Sequence, residues 1–342
     1  MAGRRLHLVY FAGDPRHGDI YYCHSADFGG TFSPGVRVNS QPGSAIAIGA
    51  IRGAQLAVGR NGRVHVAWNG SDVAGAPQHA PMLYTRLNDR GTGFEPQRNV
   101  MRETFGLDGG GSVAADRAGN VYVAWHGKAP GPEEGEAGRR VFIAKSTDDG
   151  RTFAKEHTVS AEGTGACGCC ALRVFADSRG VVYGLYRSAT ENVHRDIHLL
   201  RSADAGRTFS DALLHAWKID ACPMSSMELI EADGEVLGAW ETQEQVYFAP
   251  VSKGVRAAKA AICAPPGDHP KRKYPALARN TRGETLLAWV EGAGWQRGGK
   301  SGWQIFDRAG RPAASCGTPT GVPVWSFPAA FARPDGRFTI IV

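Results

Sequence analysis

The sequence predicts an all-β protein, a six-bladed β-propeller of four-stranded antiparallel blades closed by its amino- and carboxyl-terminal strands. Three observations predict it. An eight-residue phrase, S-x-D-x-G-x-T-F, stands at residues 25–32, 146–153 and 202–209. Beneath it runs a longer hairpin pattern with a period of roughly 50 to 60 residues, the length of one blade with its loops. The composition agrees, because 45 glycines and 19 prolines with 42% hydrophobic residues suit many short strands joined by turns. A length of 342 residues alone suggests two domains. The repeats override that prior, and residues 1–342 are read as one domain.

Each hairpin reads as alternating small and apolar residues, a turn ending in glycine, then a second strand, mostly ending in Trp or Tyr. The copies lie at 56–68, 113–125, 174–186, 229–240, 277–289 and 331–342, with turn glycines Gly62, Gly119, Gly180, Gly234, Gly283 and Gly336. Six copies predict six blades. At the amino end, residues 6–12, 19–24 and 36–39 read as strands two, three and four of a blade whose first strand comes from residues 327–342. That closure removes an open sheet edge. It also carries a conflict, because 338–342 competes with 6–12 for the second-strand position. The expectation is a five-stranded or rearranged closing blade, with a seventh, incomplete blade as the alternative.

The octapeptide has turn chemistry throughout. Its Asp accepts backbone N–H bonds across the turn, its Gly accommodates positive φ, its hydroxyls tie the ends and its Phe is an apolar plug. A worn copy at 87–94 keeps Asp89, Gly91 and Phe94. Antiparallel strand order puts these turns on the same face as the one-to-two turns. The blade-to-blade connectors and two-to-three loops then share the opposite face, where loops on a rigid scaffold carry function.

Charge excludes little but ranks the partners. A net charge of +6 is spread along the chain, and the densest basic run is Lys271-Arg272-Lys273, so no nucleic-acid partner is expected. A glycan or other small anionic ligand is compatible. No apolar run reaches membrane-spanning length, so no membrane partner is expected, and the chain is expected to be a monomer. The amino-terminal residues lack the apolar core of a signal peptide.

On the connector face the densest feature is Cys167-Gly168-Cys169-Cys170, followed by Cys222-Pro223-Met224. These connectors flank one blade and can meet near the axis. One reading is a disulfide from Cys222 to Cys169 or Cys170. The other is a soft-metal site of thiolates with Met224. No matched pair of C-x-x-C motifs supports structural zinc, and no cofactor is expected. Cys23 and Cys263 fall in strands and read as packed apolar residues, and Cys316 lies on the connector face. Arg187 and Arg195 bracket one loop and can clamp a carboxylate or sulfate, or pair with Asp196 to order that loop. Glu241 and Glu291 start equivalent loops, the paired-carboxylate arrangement of glycoside hydrolysis. Arg52, Arg297, Asp108, Tyr186 and Tyr274 complete the polar candidates, with Trp295 as a stacking surface for a sugar ring.

The octapeptides and hairpins together resemble the Asp-box, or BNR, repeat propellers of the sialidase-like family, along the whole chain. The resemblance makes Asp27, Asp89, Asp148 and Asp204 structural and implies an exported protein, periplasmic or extracellular. It implies an exo-glycosidase of sialidase type acting on an anionic sugar. Arg187, Arg195 and a third arginine, Arg52 or Arg297, would hold the sugar carboxylate. Tyr186 or Tyr274 would be the nucleophile, Glu241 or Glu291 its activator, and Asp108 or Asp196 the acid/base. The Arg-Ile-Pro phrase usual near the start of the first blade in that family does not occur here. The alternative is a non-catalytic carbohydrate- or protein-binding propeller with a structural Cys-rich rim.

Overall fold

Antiparallel hairpins arranged as blades around an axis make up the computed structural model, which describes residues 5–49, 51–74, 80–130, 135–267, 271–313 and 318–342. The amino end forms β1 (Leu6–Ala12), β2 (Asp19–Ser25) and β3 (Val36–Arg37). A four-stranded blade follows, β4 (Gln55–Val58), β5 (Val64–Asn69), β6 (Met82–Arg86) and β7 (Arg98–Asn99). The next is β8 (Ser112–Ala115), β9 (Val121–Gly127), β10 (Arg140–Ser146) and β11 (His157–Thr158). Then come β12 (Arg173–Ala176), β13 (Val182–Arg187), β14 (Ile197–Ser202) and β15 (Ser210–His215).

A three-stranded blade, β16 (Met227–Ala232), β17 (Glu235–Thr242) and β18 (Gln245–Pro250), gains its outer edge from a bridge between Phe248 and Cys263. The following blade is β19 (Arg272–Arg279), β20 (Thr285–Glu291), β21 (Gly299–Phe306) and β22 (Gly321–Val322). The carboxyl end is the hairpin β23 (Ala329–Ala332) and β24 (Phe338–Ile341). Among the described residues the one α-helix, Val255–Lys259, is a single short turn, and no helix is long and apolar enough to cross a membrane.

All six sequence hairpins are present, as β4–β5, β8–β9, β12–β13, β16–β17, β19–β20 and β23–β24. Their turn glycines all have φ between 72° and 92°, the left-handed region that a Cβ disfavours. At the ring closure β24 is only half-buried, but the second strands β5, β9 and β13 are buried along their whole length. Each therefore packs against blades on both sides, and Trp68, Trp125 and Trp240 are plugs of that packing.

The three octapeptides fold alike. In the first, Ser25 Oγ donates to Asp27 Oδ1 (2.6 Å), and Asp27 accepts from Thr31 N (2.9 Å) and Thr31 Oγ1 (2.8 Å). Asp148 and Asp204 repeat the set with Ser146 and Thr152, and with Ser202 and Thr208. The worn copy works one residue early: Asn88 Oδ1 accepts from Thr92 N (3.1 Å), while Asp89 pairs with Arg63 (2.6 Å). Asp149 N donates to the turn glycine carbonyl of Gly119 (2.9 Å), which places octapeptide and one-to-two turn on one face. Phe153 is buried as expected of a plug, but Phe32 of the first copy is 40% exposed, beside the ring closure.

Closure departs from a single continuous blade. The five terminal strands form two sheets, β1-β2-β3 and β23-β24. β24 pairs with β23 from Ala329 to Ala332, and so takes the strand edge that β1 would need. Both β1 and β23 still reach the axial channel of about 670 Å³, which the inner strands of all blades line.

Candidate ligand cavity and cysteine cluster

On the connector face a cavity of about 210 Å³ opens beside the axis. Its polar and aromatic walls are Arg52, Asp108, Tyr274, Trp295 and Trp325, with Cys169 and Met224 completing one side. The residues come from the connectors before β4, β8, β12, β16 and β23, from β19 itself and from the loop after β20. A second cavity of about 320 Å³ shares Arg52, Asp108 and Trp295.

Arg52 and Asp108 form the polar centre. Arg52 Nη2 pairs with Asp108 Oδ1, Nε donates to Asp108 O (2.7 Å) and Nη1 donates to Ile48 O (2.6 Å). The guanidinium is thereby fixed in plane, while Asp108 keeps 42% of its side chain exposed. The chain can run so closely here because Gly109, Gly110 and Gly111 follow. A Cβ on Gly110 would overlap Ile51 O, and one on Gly109 would stand 2.5 Å from Cys170 O and Gly168 O.

Three wall residues hold left-handed backbone: Met224 (φ 48°), Tyr274 (φ 55°) and Trp325 (φ 62°). For bulky side chains this is a strained conformation costing about 1–3 kcal/mol each, and such outliers concentrate where a site requires them. Tyr274 sits in a bulge of β19, where the register with β20 shifts between Lys273 and Ala276. The bulge turns its ring into the cavity. Burial pushes its hydroxyl well above the usual phenol range, with the charges of Cys170 and Glu241 adding to the effect. Trp295 is 51% exposed and lies 6.3 Å from Trp325 at a 56° tilt.

The other sequence candidates are engaged elsewhere. Arg187 is fully buried, donates to Arg195 O (2.7 Å) and Glu241 Oε2 (3.1 Å), and lies over the Trp217 ring at 5.2 Å. Burial raises the Glu241 carboxyl despite the opposing pull of Arg187. Arg195 pairs with Glu136 (2.6 Å). Tyr186 is buried between blades, its hydroxyl donating to Asp211 Oδ2 (2.6 Å). Asp196 accepts from Trp217 N (2.7 Å) and lines a shallow depression apart from the cavity. Glu291 accepts from Arg272 (3.2 Å) and Trp289 Nε1 (2.9 Å), so Glu241 and Glu291 do not face each other across a cleft. Arg297 is exposed on the loop that carries Trp295. Of the four arginines, Arg52 alone lines the cavity.

The cysteines do meet. Cys167 Sγ lies 3.4 Å from Cys169 Sγ and 3.5 Å from Cys170 Sγ, and Cys222 adjoins Cys167 and Cys169. All six described cysteines are free, whereas Cys316 lies outside the described residues. Hydrogen bonding to Cys167 draws the Cys222 thiol down to about 6, against the effect of burial. Burial opposes ionisation of Cys170, but hydrogen bonds from Cys167 and Cys169 and the Arg187 charge outweigh it and lower its pKa. Glu136, which no sequence pattern singled out, locks the loop by accepting from Gly168 N (2.6 Å) while holding Arg195. His126 supports it from below, its Nε2 2.6 Å from Cys170 O. The Gly109–Gly111 run was the available sequence signal for this close approach.

The fold is of the sialidase type. No family model matches the chain, and no curated protein matches it. Among solved structures it is similar to the Hadza microbial sialidase Hz136, with a TM-score of 0.55 at 12% identity, over 95% of this chain and 71% of that one. The leech intramolecular trans-sialidase gives a TM-score of 0.54 at 8% identity, over 98% and 79% of the two chains. The NanB sialidase of Streptococcus pneumoniae gives 0.53 at 10% identity, over 86% of this chain and 64% of that one, less than two thirds of its length.

Proposed function

We propose that the connector face binds the terminal unit of a glycan in the cavity between Arg52, Asp108, Tyr274 and the two tryptophans. The observation that carries this is their convergence from separate connectors, a strand bulge and a loop, with strained backbone under Tyr274 and Trp325. A planar Arg–carboxylate pair beside an exposed indole suits a sugar, whose hydroxyls need both donors and acceptors and whose ring face stacks on aromatics. At about 210 Å³ the cavity is smaller than the usual drug-sized pocket, which fits one monosaccharide. The sharing of Trp295 by the second cavity allows the next unit to sit beyond it. The likeness to sialidases supports a glycan as the ligand class.

Isothermal titration with neutral and carboxylate-bearing monosaccharides tests this. Binding that Trp295→Ala abolishes is expected, and a protein that takes up no saccharide refutes it. Hydrolysis is a second reading, favoured by Tyr274 and Asp108 lining one cavity. A sialoside clamp of three arginines has one member here, Arg52, so binding without turnover is the primary reading. Release of a fluorogenic aglycone from a sialoside, abolished in Tyr274→Phe, would reverse that order.

A further inference from the structure

Four cysteines collect beside the cavity, with Cys169 in its wall, and saccharide binding makes no use of them. Cys167, Cys169 and Cys170 come from the connector before β12, and Cys222 from the connector before β16. The sulfurs of Cys167, Cys169 and Cys170 lie within 4.8 Å of one another, as do the ligand atoms of Cys169, Cys222 and Glu136. Cys169 belongs to both sets, so the cluster is continuous.

The closest sulfur separations, 3.4 and 3.5 Å, are far from the roughly 2.05 Å of a disulfide. They approach the edge of a thiolate tetrahedron, about 3.8 Å for metal–sulfur bonds of about 2.3 Å. A single disulfide across the two connectors, from Cys222 to Cys169 or Cys170, would leave two thiols beside it, the buried Cys167 among them. Nor is this the apolar pocket that buried cysteines usually fill. The Arg195 guanidinium acts on Cys167 and Cys222, and that of Arg187 acts on Cys170. Each guanidinium also holds a carboxylate, Arg195 that of Glu136 and Arg187 that of Glu241, so the cluster lies within a network of paired charges. The Glu136 carboxylate is already committed to Gly168 N and Arg195, so it orients the loop and the donor set is sulfur. Met224, two residues after Cys222, lines the cavity with Cys169 and adds a thioether within the same wall.

We propose that Cys167, Cys169, Cys170 and Cys222 form a site for one soft d10 metal ion, Cu(I) or Zn(II), beside the ligand cavity. Sulfur-only donor sets select such ions over hard cations. The ion ties together two blade-to-blade connectors near the axis and faces the cavity through Cys169. The proposal does not depend on the saccharide.

The test uses the full chain, reduced and held without oxygen, with reductant removed before titration. Zn(II) and Cu(I) are added separately against a chromophoric chelator, and Co(II) serves as the optical probe of thiolate coordination. One ion per chain with a sulfur-to-metal charge-transfer band is expected. The ion that the protein withdraws from the chelator identifies the metal. Cys169→Ser and Cys222→Ser, one on each connector, should each weaken binding more than about tenfold. Cys263→Ser, in another blade edge, should leave it unchanged. Should the cluster variants fail to fold, wild-type protein still decides the matter. Bound metal should protect Cys169 and Cys222, the cluster cysteines with exposed surface, and not Cys263, from alkylation. Reduced protein that takes up no ion, or uptake that leaves Cys169 and Cys222 equally reactive, overturns the proposal.

Discussion

Replacing Arg187 by methionine separates scaffold from ligand arm at the residue that sequence chemistry marks most strongly as a ligand group. Its side chain is completely buried, as is that of Glu241, and the two are 3.1 Å apart. The substitution removes that pair, the bonds to Arg195 O and Glu241 O, and the packing over Trp217. It leaves Glu241 buried without its cation, in a site where burial already pushes its carboxyl upward. Removing one partner of a buried pair costs about 3–5 kcal/mol. Loss of the cation–π contact is included in the middle of that range, giving about 4 kcal/mol. For 342 residues the unfolding entropy is about 0.7 kcal/mol per degree, so Tm should fall by about 6 °C. Calorimetry and urea unfolding measure both quantities. The double variant Arg187→Met/Glu241→Leu should recover more than half of the loss, because no charge is then stranded. A single variant within about 0.5 kcal/mol of wild type, or strictly additive losses in the double variant, would refute the reasoning. Saccharide affinity should be nearly unchanged, since Arg187 does not line the cavity.

His65 is buried against Tyr84 and flanked by Asp149, Arg63, Arg86 and Glu95, and burial lowers its pKa from 6.5 to about 4. The unfolded chain therefore binds the extra proton first, so stability is full above pH 6.5 and falls as pH drops toward 4, by up to about 3 kcal/mol. His65→Gln should flatten that part of a urea-unfolding pH profile; an unchanged slope would assign it to other groups. Asp148→Ala removes the acceptor for Ser146 Oγ, Thr152 N and Thr152 Oγ1 and should cost about 1–2 kcal/mol in urea unfolding, with Asp148→Asn retaining most of the stability. Gly110→Ala drives a methyl group into the Ile51 carbonyl and should cost about 1–3 kcal/mol while weakening saccharide binding through the displaced Arg52–Asp108 pair. Gly321→Ala, with open space around it, is the control, and equal melting of the two variants would contradict the packing account.

The architecture was legible because it is written in local, periodic chemistry. A turn glycine with positive φ, a Ser–Asp–Thr bonding set and an alternating strand are each determined within about ten residues, and repetition made them readable. Strand order then told the connector face from the turn face before any side chain was placed. The partners of the polar groups were not legible in this way. Arg187 and Glu241 are 54 residues apart and neutralise each other inside the protein, whereas Arg52 reaches Asp108 across 56 residues at the cavity. Nothing local distinguishes these arginines. Glu136 carries no motif, and its role exists only because folding brings Gly168 and Arg195 to it. The termini show the same limit, since the segments 6–12 and 338–342 both have strand chemistry and only competition for one edge decided their pairing. By itself, then, the sequence determined the blades and the two faces, because backbone geometry depends on near neighbours, and it put the two cysteine connectors on either side of one blade. Which charges are consumed in the scaffold and which still face a ligand was decided by tertiary structure, because pairing and desolvation depend on residues distant along the chain.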